Sequence, residues 1–557
     1  MRAWVFVALL GYSCSCSEDA KREAPQDGGI GLQDAGEDAA PVDAGNDAGT
    51  PPTFCEALGM PEREWAAGPY GTRRHDLAED FTALQVGGAE WNLRTEWTGC
   101  ESYVFIPDTI ANSALDGTSI WDRDVDRLIE MSPRNVHYFF VSRLTQDWQA
   151  TASTSDMADQ IENQMGALSP EDAAHWRAHL HVVEGRAATL GNWIGDVMDA
   201  GIGRGGFAID RFQRVRGIGS FADVVRYSAA LSAAGQWPWE SNLGYAANEA
   251  RAYNFEATRE EGLAPDATVV EFWSGEVLEE FEDLDVELPS AAEMSTFDTF
   301  EIDVTSHCPD ADAGEFGNCG AWDYLAHLFV YEGKELVEVG RFITSYHRET
   351  RWVLDATPML VHLRDGGARR FRWSFAPPWN TQPTATSLSL RFSNRGKSVR
   401  PEEATFLWAG GGFNGAYNDA RTPIDVPIPA DAERVELWAL ITGHGGETNN
   451  CAEFCDHEHE FTVNGSVFLH DHPAVGDQEG CVAAIENGTT PNQWGTWWFG
   501  RGGWCPGQHV PPFVADVTAE VTPGETATIS YRGLFDGDAP PDASGNIVMS
   551  SYLVVYR

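Results

Sequence analysis

The sequence predicts a multidomain protein in which an α/β domain is followed by two antiparallel β-sandwiches. Three observations predict this arrangement. Residues 17–54 are rich in Asp, Ala, Gly and Pro and have few large apolar residues, residues 55–260 alternate short apolar runs with helical patterns, and residues 264–557 hold many short strands separated by turn signals. The chain has 557 residues, and the part that follows residue 54 is long enough for about three domains.

The chain begins with the pattern of a secretory signal. Met1 and Arg2 precede a short apolar run over residues 3–11 and small residues around Cys14 and Cys16. The run is too short to span a bilayer, which takes about 20 apolar residues. We therefore expect residues 1–16 to be a signal peptide, with lipidation of Cys14 or Cys16 favoured over plain cleavage.

The segment 17–54 cannot bury enough apolar surface to fold, so it is predicted to be a solvated tether. The protein is then expected outside the cytoplasm, either secreted, periplasmic or anchored by lipid at a bacterial cell surface such as the outer membrane. A formal net charge of −48 disfavours nucleic acid as a partner, because phosphate would be repelled. Membrane contact is expected only through the lipid, and the protein is expected to be a monomer.

Residues 55–260 have the order of an α/β layer domain. SYVFI and VHYFFVS have the composition of buried strands, MADQIENQMGAL and PEDAAHWRAHL of helices, and GGFAIDRFQRVRGIG of a closing hairpin. On this layout the region resembles a thioredoxin- or peroxiredoxin-like domain. A reactive thiolate would be expected in the turn after the first core strand, but that turn is IPDTIANS and has no cysteine. We therefore expect a scaffold or accessory domain.

In residues 264–557 the sequence pattern changes to that of β-strands, with period-two alternation or a β-branched and aromatic bias. Examples are TFEIDVTSH, RVELWALITG and NIVMSSYLVVY. Their number favours two antiparallel sandwiches over one. The polar, turn-rich segment SNRGKSVRPEE divides them into domains 264–394 and 395–557.

Ten cysteines in an exported chain are typical of a disulfide framework. Six of them lie in the C-terminal half, close to acids and aromatic residues. Cys55 and Cys100 are left over and could pair with each other.

Four motifs in the C-terminal half occur in a fixed order. They are the Trp322-Asp323 pair after a cysteine loop, the GRFIT strand, the segment CAEFC around Glu453, and the segment RGGWCPG that begins at Arg501. The peptide-N-glycosidase F family has counterparts of all four in the same order, and this half of the chain therefore resembles that family.

The resemblance implies two jelly-roll domains side by side, with a site in the cleft between them. It implies hydrolysis of the amide that joins an asparagine side chain to N-acetylglucosamine, on an N-linked glycoprotein or glycopeptide and without a cofactor. Asp323 would be the essential catalytic aspartate, Glu453 would assist through a water, and Arg501 would lie at the site. The other implied substrate contacts are Trp322, Tyr324, Trp379, Phe454, His444, Trp497 and Trp504. The implied disulfides are Cys308 with Cys319, Cys451 with Cys455, and Cys481 with Cys505.

The residue types suit this chemistry independently. Amide hydrolysis needs a base to activate water, an acid for the departing nitrogen and a donor to the developing oxyanion. Two carboxylates can divide the first two roles if their surroundings separate their pKa values, and an arginine can supply the third. Trp497 and Trp498 are adjacent, so on a strand only one of them could line the cleft.

Three departures from the family pattern bear on activity. Pro377 stands near the position of a third acid, Tyr324 replaces the arginine that follows the aspartate, and Phe454 replaces a tryptophan. The alternative reading is a carbohydrate-binding surface protein with weakened catalysis.

Paired histidines offer a rival kind of site. His457 with His459, and His470 with His472, have the i, i+2 spacing that puts both imidazoles on one face of a strand. That spacing is compatible with zinc or copper, and hence with metal-dependent oxidation on a double-sandwich fold. We nevertheless predict no metal, because the family has histidines matching His459 and His470 without needing one.

Overall fold

The computed structural model describes residues 52–108, 119–200, 205–235, 237–445, 452–542 and 545–557. Thr53–Arg557 form one compact unit. The predicted signal, the candidate lipidation sites Cys14 and Cys16, and nearly all of the predicted tether lie outside the described residues. Among the helices that are described, none combines the length and apolar character needed to cross a membrane.

The first part of the unit is an α/β domain. Its strands are β1 (Thr82–Leu84), β2 (Glu90–Asn92), β3 (Ser102–Pro107), β4 (Val136–Ser142), β5 (Leu180–Arg186), β6 (Phe207–Ile209), β7 (Val215–Gly217), β8 (Ala222–Tyr227) and β9 (Trp239–Ser241). Its helices are α1 (Phe54–Ala57), α2 (Leu93–Glu96), α3 (Val125–Met131), α4 (Asp147–Met165), α5 (Pro170–His179), α6 (Trp193–Asp199), α7 (Ala229–Ala233) and α8 (Ala247–Gly262).

The central sheet has the order β5-β4-β3-β6-β7, in which β3, β4 and β5 are parallel and β6 and β7 are antiparallel. Every residue of β3 and β4 is buried, as expected for strands that are covered on both faces. The α/β layering agrees with the sequence, and the Cys55–Cys100 disulfide is present. The closer resemblance to a thioredoxin-like domain stays a prediction.

The C-terminal half consists of two sandwiches of two four-stranded antiparallel sheets each. The first holds β10 (Thr268–Leu278), β11 (Phe281–Ser290), β12 (Thr299–His307), β13 (Leu325–Glu332), β14 (Glu335–Ile343), β15 (Thr350–Asp355), β16 (Gly366–Ser374), β17 (Thr384–Ser393) and the short helix α9 (Ala291–Met294). The second holds β18 (Pro401–Phe413), β19 (Ile424–Pro427), β20 (Arg434–His444), β21 (His457–Val463), β22 (Ser466–His470), β23 (Phe513–Asp516), β24 (Thr526–Phe535), β25 (Gly545–Tyr556) and the short helix α10 (Gly480–Ala483).

The sheet orders are β10-β17-β12-β15 and β11-β16-β13-β14 in the first sandwich, and β18-β25-β20-β23 and β19-β24-β21-β22 in the second. Alternate residues of β17 are buried, which is the pattern of a strand with one face on a core and one face outward. These are jelly-roll-like sandwiches of the kind that the family resemblance implies.

The α/β domain packs directly on a long segment that joins β22 to β23. One face of its sheet, which includes Val104 and Phe140, shares a hydrophobic core with Cys481, Trp497 and Trp498 of that segment. The Trp498 indole N–H donates to the carbonyl of Ala222 at 2.9 Å. The α/β domain therefore supports the segment that leads to Arg501.

Buried polar groups fix the same junction. Glu249 on α8 pairs with Arg348 at 3.1 Å, and both side chains are almost fully enclosed. The Asn492 side-chain amide donates to the Glu249 carboxylate at 2.8 Å and to the Tyr245 carbonyl at 2.9 Å. One carboxylate of the α/β domain thus holds one residue from each sandwich.

We expect the substitution Glu249→Gln to lower the free energy of unfolding by about 1–3 kcal/mol, because it removes the buried charged acceptor that Arg348 and Asn492 share, while Glu315 stays 2.7 Å from Arg348. Urea unfolding followed by tryptophan fluorescence measures the change. Glu162→Gln is the matched control, since Glu162 pairs with Arg177 on an exposed surface and such pairs contribute about 0–1 kcal/mol. Equal stabilities for the two variants would contradict this role for Glu249.

Candidate active site

Asp323 lies between the Cys308–Cys319 loop and strand β13. Hydrogen bonds hold the backbone on either side of it. The Trp322 N–H donates to the Gln382 side chain at 2.8 Å, and the Tyr324 N–H donates to the Thr344 hydroxyl at 2.8 Å. The direction in which the Asp323 carboxyl points is therefore set by the first sandwich.

Glu453 lies in the turn that precedes β21 in the second sandwich. Its carbonyl accepts from the Gly502 N–H at 2.8 Å, and its own N–H donates to the Gly445 carbonyl at 3.3 Å. Cys455 is disulfide-bonded, whereas Cys451, its predicted partner, lies outside the described residues. These contacts place the Glu453 turn beside the Arg501 turn.

Arg501 joins the two carboxylates. Its Nη2 lies 3.3 Å from Asp323 Oδ2, and its Nε lies 3.2 Å from Glu453 Oε1. The arginine side chain is only 1% exposed, while the two carboxylates are 16% and 21% exposed. Carboxylates from two different sandwiches therefore share one guanidinium and still reach solvent.

The guanidinium is itself held in place. It donates to the carbonyls of Phe499 at 3.3 Å and Thr496 at 3.1 Å. Its central carbon lies 4.8 Å from the Trp504 ring centre and 5.2 Å from the Phe454 ring centre, distances at which a cation is attracted to an aromatic face. Arg501 can act as a fixed positive charge that does not have to move during a reaction.

Tyr346 is a further residue of this group. Its hydroxyl lies 3.4 Å from Arg501 Nη2 and is close enough to the Asp323 carboxylate to lower the pKa of that group. Burial and the neighbouring Asp323 raise the pKa of Tyr346 well above its ordinary value, so the phenol remains a donor. Asp323 is thus contacted by a guanidinium and by a neutral hydroxyl.

Burial raises the pKa of Asp323 above its ordinary value, and Arg501 and Tyr346 oppose part of that rise. Burial also raises the pKa of Glu453, with a contribution from the Asp323 charge, and Arg501 again opposes it. Two nearby carboxyl groups with raised pKa values can hold one proton between them. The pair can therefore offer a base and an acid at the same pH.

Two exposed tryptophans belong to the sandwich that carries Asp323. Trp322 is 51% exposed and Trp379 is 83% exposed, so both can contact a sugar ring. The Tyr324 hydroxyl accepts from the Asn380 amide at 2.7 Å. The exposed rings lie on the first sandwich, on the side of Asp323.

Two aromatic residues of the second sandwich, His444 and Trp504, pack against each other next to Arg501. His444 stacks on Trp504 with 5.3 Å between ring centres, and burial lowers the pKa of His444 to about 3. Trp504 donates its indole N–H to the Gly443 carbonyl at 2.8 Å. Trp504 is buried, and the Arg501 guanidinium lies over its ring.

The prediction that Trp497 contacts substrate is wrong. Trp497 and Trp498 are both fully buried in the core shared with the α/β domain, and they lie in a turn instead of a strand. The predicted opposite orientation on a strand therefore does not apply, and neither ring lines the cleft.

Sequence reasoning missed Tyr346, Gln382 and Asn380. They lie in loops that follow strands, and their role depends on contacts with Asp323, Trp322 and Tyr324 that no local spacing signals. Tyr346 follows the GRFIT strand by two residues, which is the one clue the sequence offers. The Cys308–Cys319 and Cys481–Cys505 disulfides, by contrast, are confirmed.

Comparisons with known proteins find relatives of the C-terminal half. The family model described as peptide-N-glycosidase F, C terminal, matches residues 412–554. A peptide-N(4)-(N-acetyl-beta-D-glucosaminyl)asparagine amidase F from Elizabethkingia miricola is 24% identical over 261 residues, which cover 43% of this chain and 69% of that protein. The C-terminal half is a peptide-N-glycosidase F-family region.

Two solved structures also match. PNGase F, a glycosylasparaginase from Flavobacterium meningosepticum, matches 52% of this chain and 96% of its own, with a TM-score of 0.40 and 19% identity. PNGF-II matches 52% of this chain and 65% of its own, with a TM-score of 0.39 and 14% identity. Glu453 and Arg501 fall inside the residues matched by the peptide-N-glycosidase F family model.

Proposed function

We propose that this protein is an amidase that hydrolyses the bond between an asparagine side chain and N-acetylglucosamine in N-linked glycoproteins. The observation that carries the proposal is the meeting of Asp323 and Glu453 on one buried arginine. The similarity to an amidase that is named for this bond supports the choice of substrate.

The chemistry assigns one role to each group. Asp323 takes a proton from water as the water oxygen attacks the amide carbon, and Arg501 stabilises the negative charge that develops on the carbonyl oxygen. Glu453 orients the water and supplies a proton to the departing nitrogen. The C–N bond then breaks, leaving aspartate in the peptide and a glycosylamine on the sugar.

The surroundings suit a glycan. Trp322 and Trp379 present exposed apolar faces beside Asp323, and such faces with an N–H donor at the edge suit sugar rings. Tyr324 and Pro377 stand where the family resemblance implies an arginine and an acid, so we propose a different preference for the inner sugars. Disulfides in every part of the fold agree with a protein that works outside the cytoplasm.

The proposal is tested by incubating the purified chain with a denatured N-glycoprotein and measuring its mass. We expect release of the intact glycan with conversion of the asparagine to aspartate, and no release by the Asp323→Asn variant. An unchanged glycoprotein mass with the wild-type chain would refute the amidase. Glycan binding on an array without any product would instead favour the carbohydrate-binding alternative.

The raised pKa values of Asp323 and Glu453 predict the pH dependence of the reaction. A base must be ionised to act, so kcat/KM should rise with pH through the raised pKa of the pair. We expect the acidic limb of the profile, which reports ionisation of the base Asp323, to lie above pH 3.8, the ordinary pKa of an aspartate. Steady-state rates on a soluble glycopeptide measure the limb, with near-UV circular dichroism as the control for folding at each pH. A limb below pH 3.8, the ordinary value for Asp323, would contradict the proposed burial effect.

A further inference from the structure

A cluster of buried histidines lies behind the Glu453 turn. His457 and His459 share one face of β21, and β22 pairs with β21 so that His470 is opposite His459. His472 follows the end of β22. His457 and His459 are fully buried and His472 is 7% exposed. A ligating nitrogen from each of these three rings lies within 4.8 Å of the others.

The ring nitrogens of this cluster are arranged unequally. Nδ1 of His457 lies 2.8 Å from Nε2 of His459, so the two point at each other. The other nitrogen of His459, Nδ1, lies 2.7 Å from the Tyr531 hydroxyl, which in turn lies 2.9 Å from the Tyr417 hydroxyl. Nε2 of His472 is buried and has no hydrogen-bond partner among the described residues. Leaving such an atom unsatisfied costs about 1–3 kcal/mol.

Glycines make room for these rings. A Cβ on Gly443 or Gly502 would overlap Nε2 of His457, which lies beside the Ala452 carbonyl. A Cβ on Gly503 would press against the His472 ring. A cavity of about 390 Å³ adjoins the cluster and is lined in part by His470, His472 and Gly503. A small ion therefore has a route to the cluster from that side.

We propose, against the expectation from the sequence of no metal, that His457, His459 and His472 bind a zinc-class divalent cation. Each ring supplies one nitrogen, and Nε2 of His457 and Nε2 of His472 are both buried without a hydrogen-bond partner among the described residues. The contact between Tyr531 and His459 Nδ1 is the kind of outer hydrogen bond that orients a metal-bound imidazole. Three neutral imidazoles suit zinc and the related late transition metals better than calcium or magnesium.

The ion is structural and not part of the hydrolysis. It ties β21, which follows directly from the Glu453 turn, to the residues after β22. Gly502 and Gly503, which pack against His457 and His472, follow Arg501 in sequence. Gly502 also donates to the Glu453 carbonyl at 2.8 Å. The ion thus holds the turns of Glu453 and Arg501 together from behind.

A second histidine group serves as the matched control. His137 and His179 are also buried, and both lie 3.1 Å from the Glu101 carboxylate. Their remaining ring nitrogens are also hydrogen-bonded, to His181 at 2.9 Å and to the His175 carbonyl at 2.7 Å. Neither of these rings has a nitrogen without a hydrogen-bond partner, in contrast to His472.

The test is metal binding by the full chain after removal of bound metal with a chelator. Titration with Zn²⁺, and with Co²⁺ followed by visible absorption, should give one equivalent per chain in the wild type and in His179→Asn. His472→Asn should bind more than about 100-fold more weakly, and Tyr531→Phe about 10–100-fold more weakly. Tyr531→Phe removes no ligand, so it stays informative if His472→Asn fails to fold.

The melting temperature gives a second readout, because Zn²⁺ should raise it in the wild type and leave it unchanged in His472→Asn. No binding of Zn²⁺ by the wild type at micromolar concentrations would overturn the proposal. So would equal binding by the wild type and a folded His472→Asn variant. If only the His179→Asn variant lost the bound equivalent of Zn²⁺, the ion would belong to the His137–His179 group, and the proposal would again be overturned.

Discussion

The substitution Asp323→Asn should lower kcat/KM for glycan release by about 10²–10⁴-fold, because an amide cannot take the proton of the attacking water. The substitution keeps the shape of the side chain. It leaves the backbone hydrogen bonds of Trp322 and Tyr324 in place. KM should change much less than kcat. Initial rates on a glycopeptide, read by mass spectrometry, measure both quantities.

Asp285→Asn is the matched control for this substitution, since Asp285 is exposed on strand β11 of the same sandwich. The control should keep the wild-type rate. If Asp323→Asn kept a rate within about threefold of the wild type, well inside the effect expected of a general base, the assignment of Asp323 would be wrong.

The second large effect is expected at Arg501. Its Nε and Nη2 contact two different carboxylates, and a lysine ammonium cannot reproduce that fork. Arg501→Lys should therefore lower kcat/KM by about 10²–10³-fold, the usual effect of removing a donor to a developing oxyanion. Arg532→Lys is the control, because Arg532 pairs with Glu460 on an exposed surface.

The substitution Arg501→Gln tests how the positive charge of Arg501 affects the pKa values of the two carboxyl groups. The guanidinium lowers the pKa of both Asp323 and Glu453, so its loss should raise both values further. The acidic limb of the residual activity should then move to higher pH than in the wild type. A limb that stayed in place, or moved to lower pH, would show that Arg501 does not govern the charge of the pair.

Much of the site follows from ordered motifs in the sequence. Asp323, Glu453 and Arg501 were each predicted from a short segment that has a counterpart in a known family, and the structure brings all three together. The layering of the sheets followed from the period of apolar residues. Both kinds of signal are local in the sequence, so they can be recognised without knowledge of the tertiary contacts.

What could not be predicted depends on contacts between distant segments. Trp497 was assigned to the cleft because nothing local shows that the α/β domain covers it. Tyr346 was missed because its approach to Asp323 exists only after two loops meet. The spacing of His457 and His459 indicated a shared face, but the approach of His472 depends on the register of β21 and β22.

The central claim is that the Asp323–Arg501–Glu453 site breaks the bond between asparagine and the first sugar. Reaction of a glycopeptide carrying one N-glycan in ¹⁸O-labelled water tests it directly. We expect a peptide in which that asparagine has become aspartate with one ¹⁸O atom in its side chain, together with the complete glycan. A peptide that keeps its asparagine with one N-acetylglucosamine attached, or that is not cleaved at all, would contradict it.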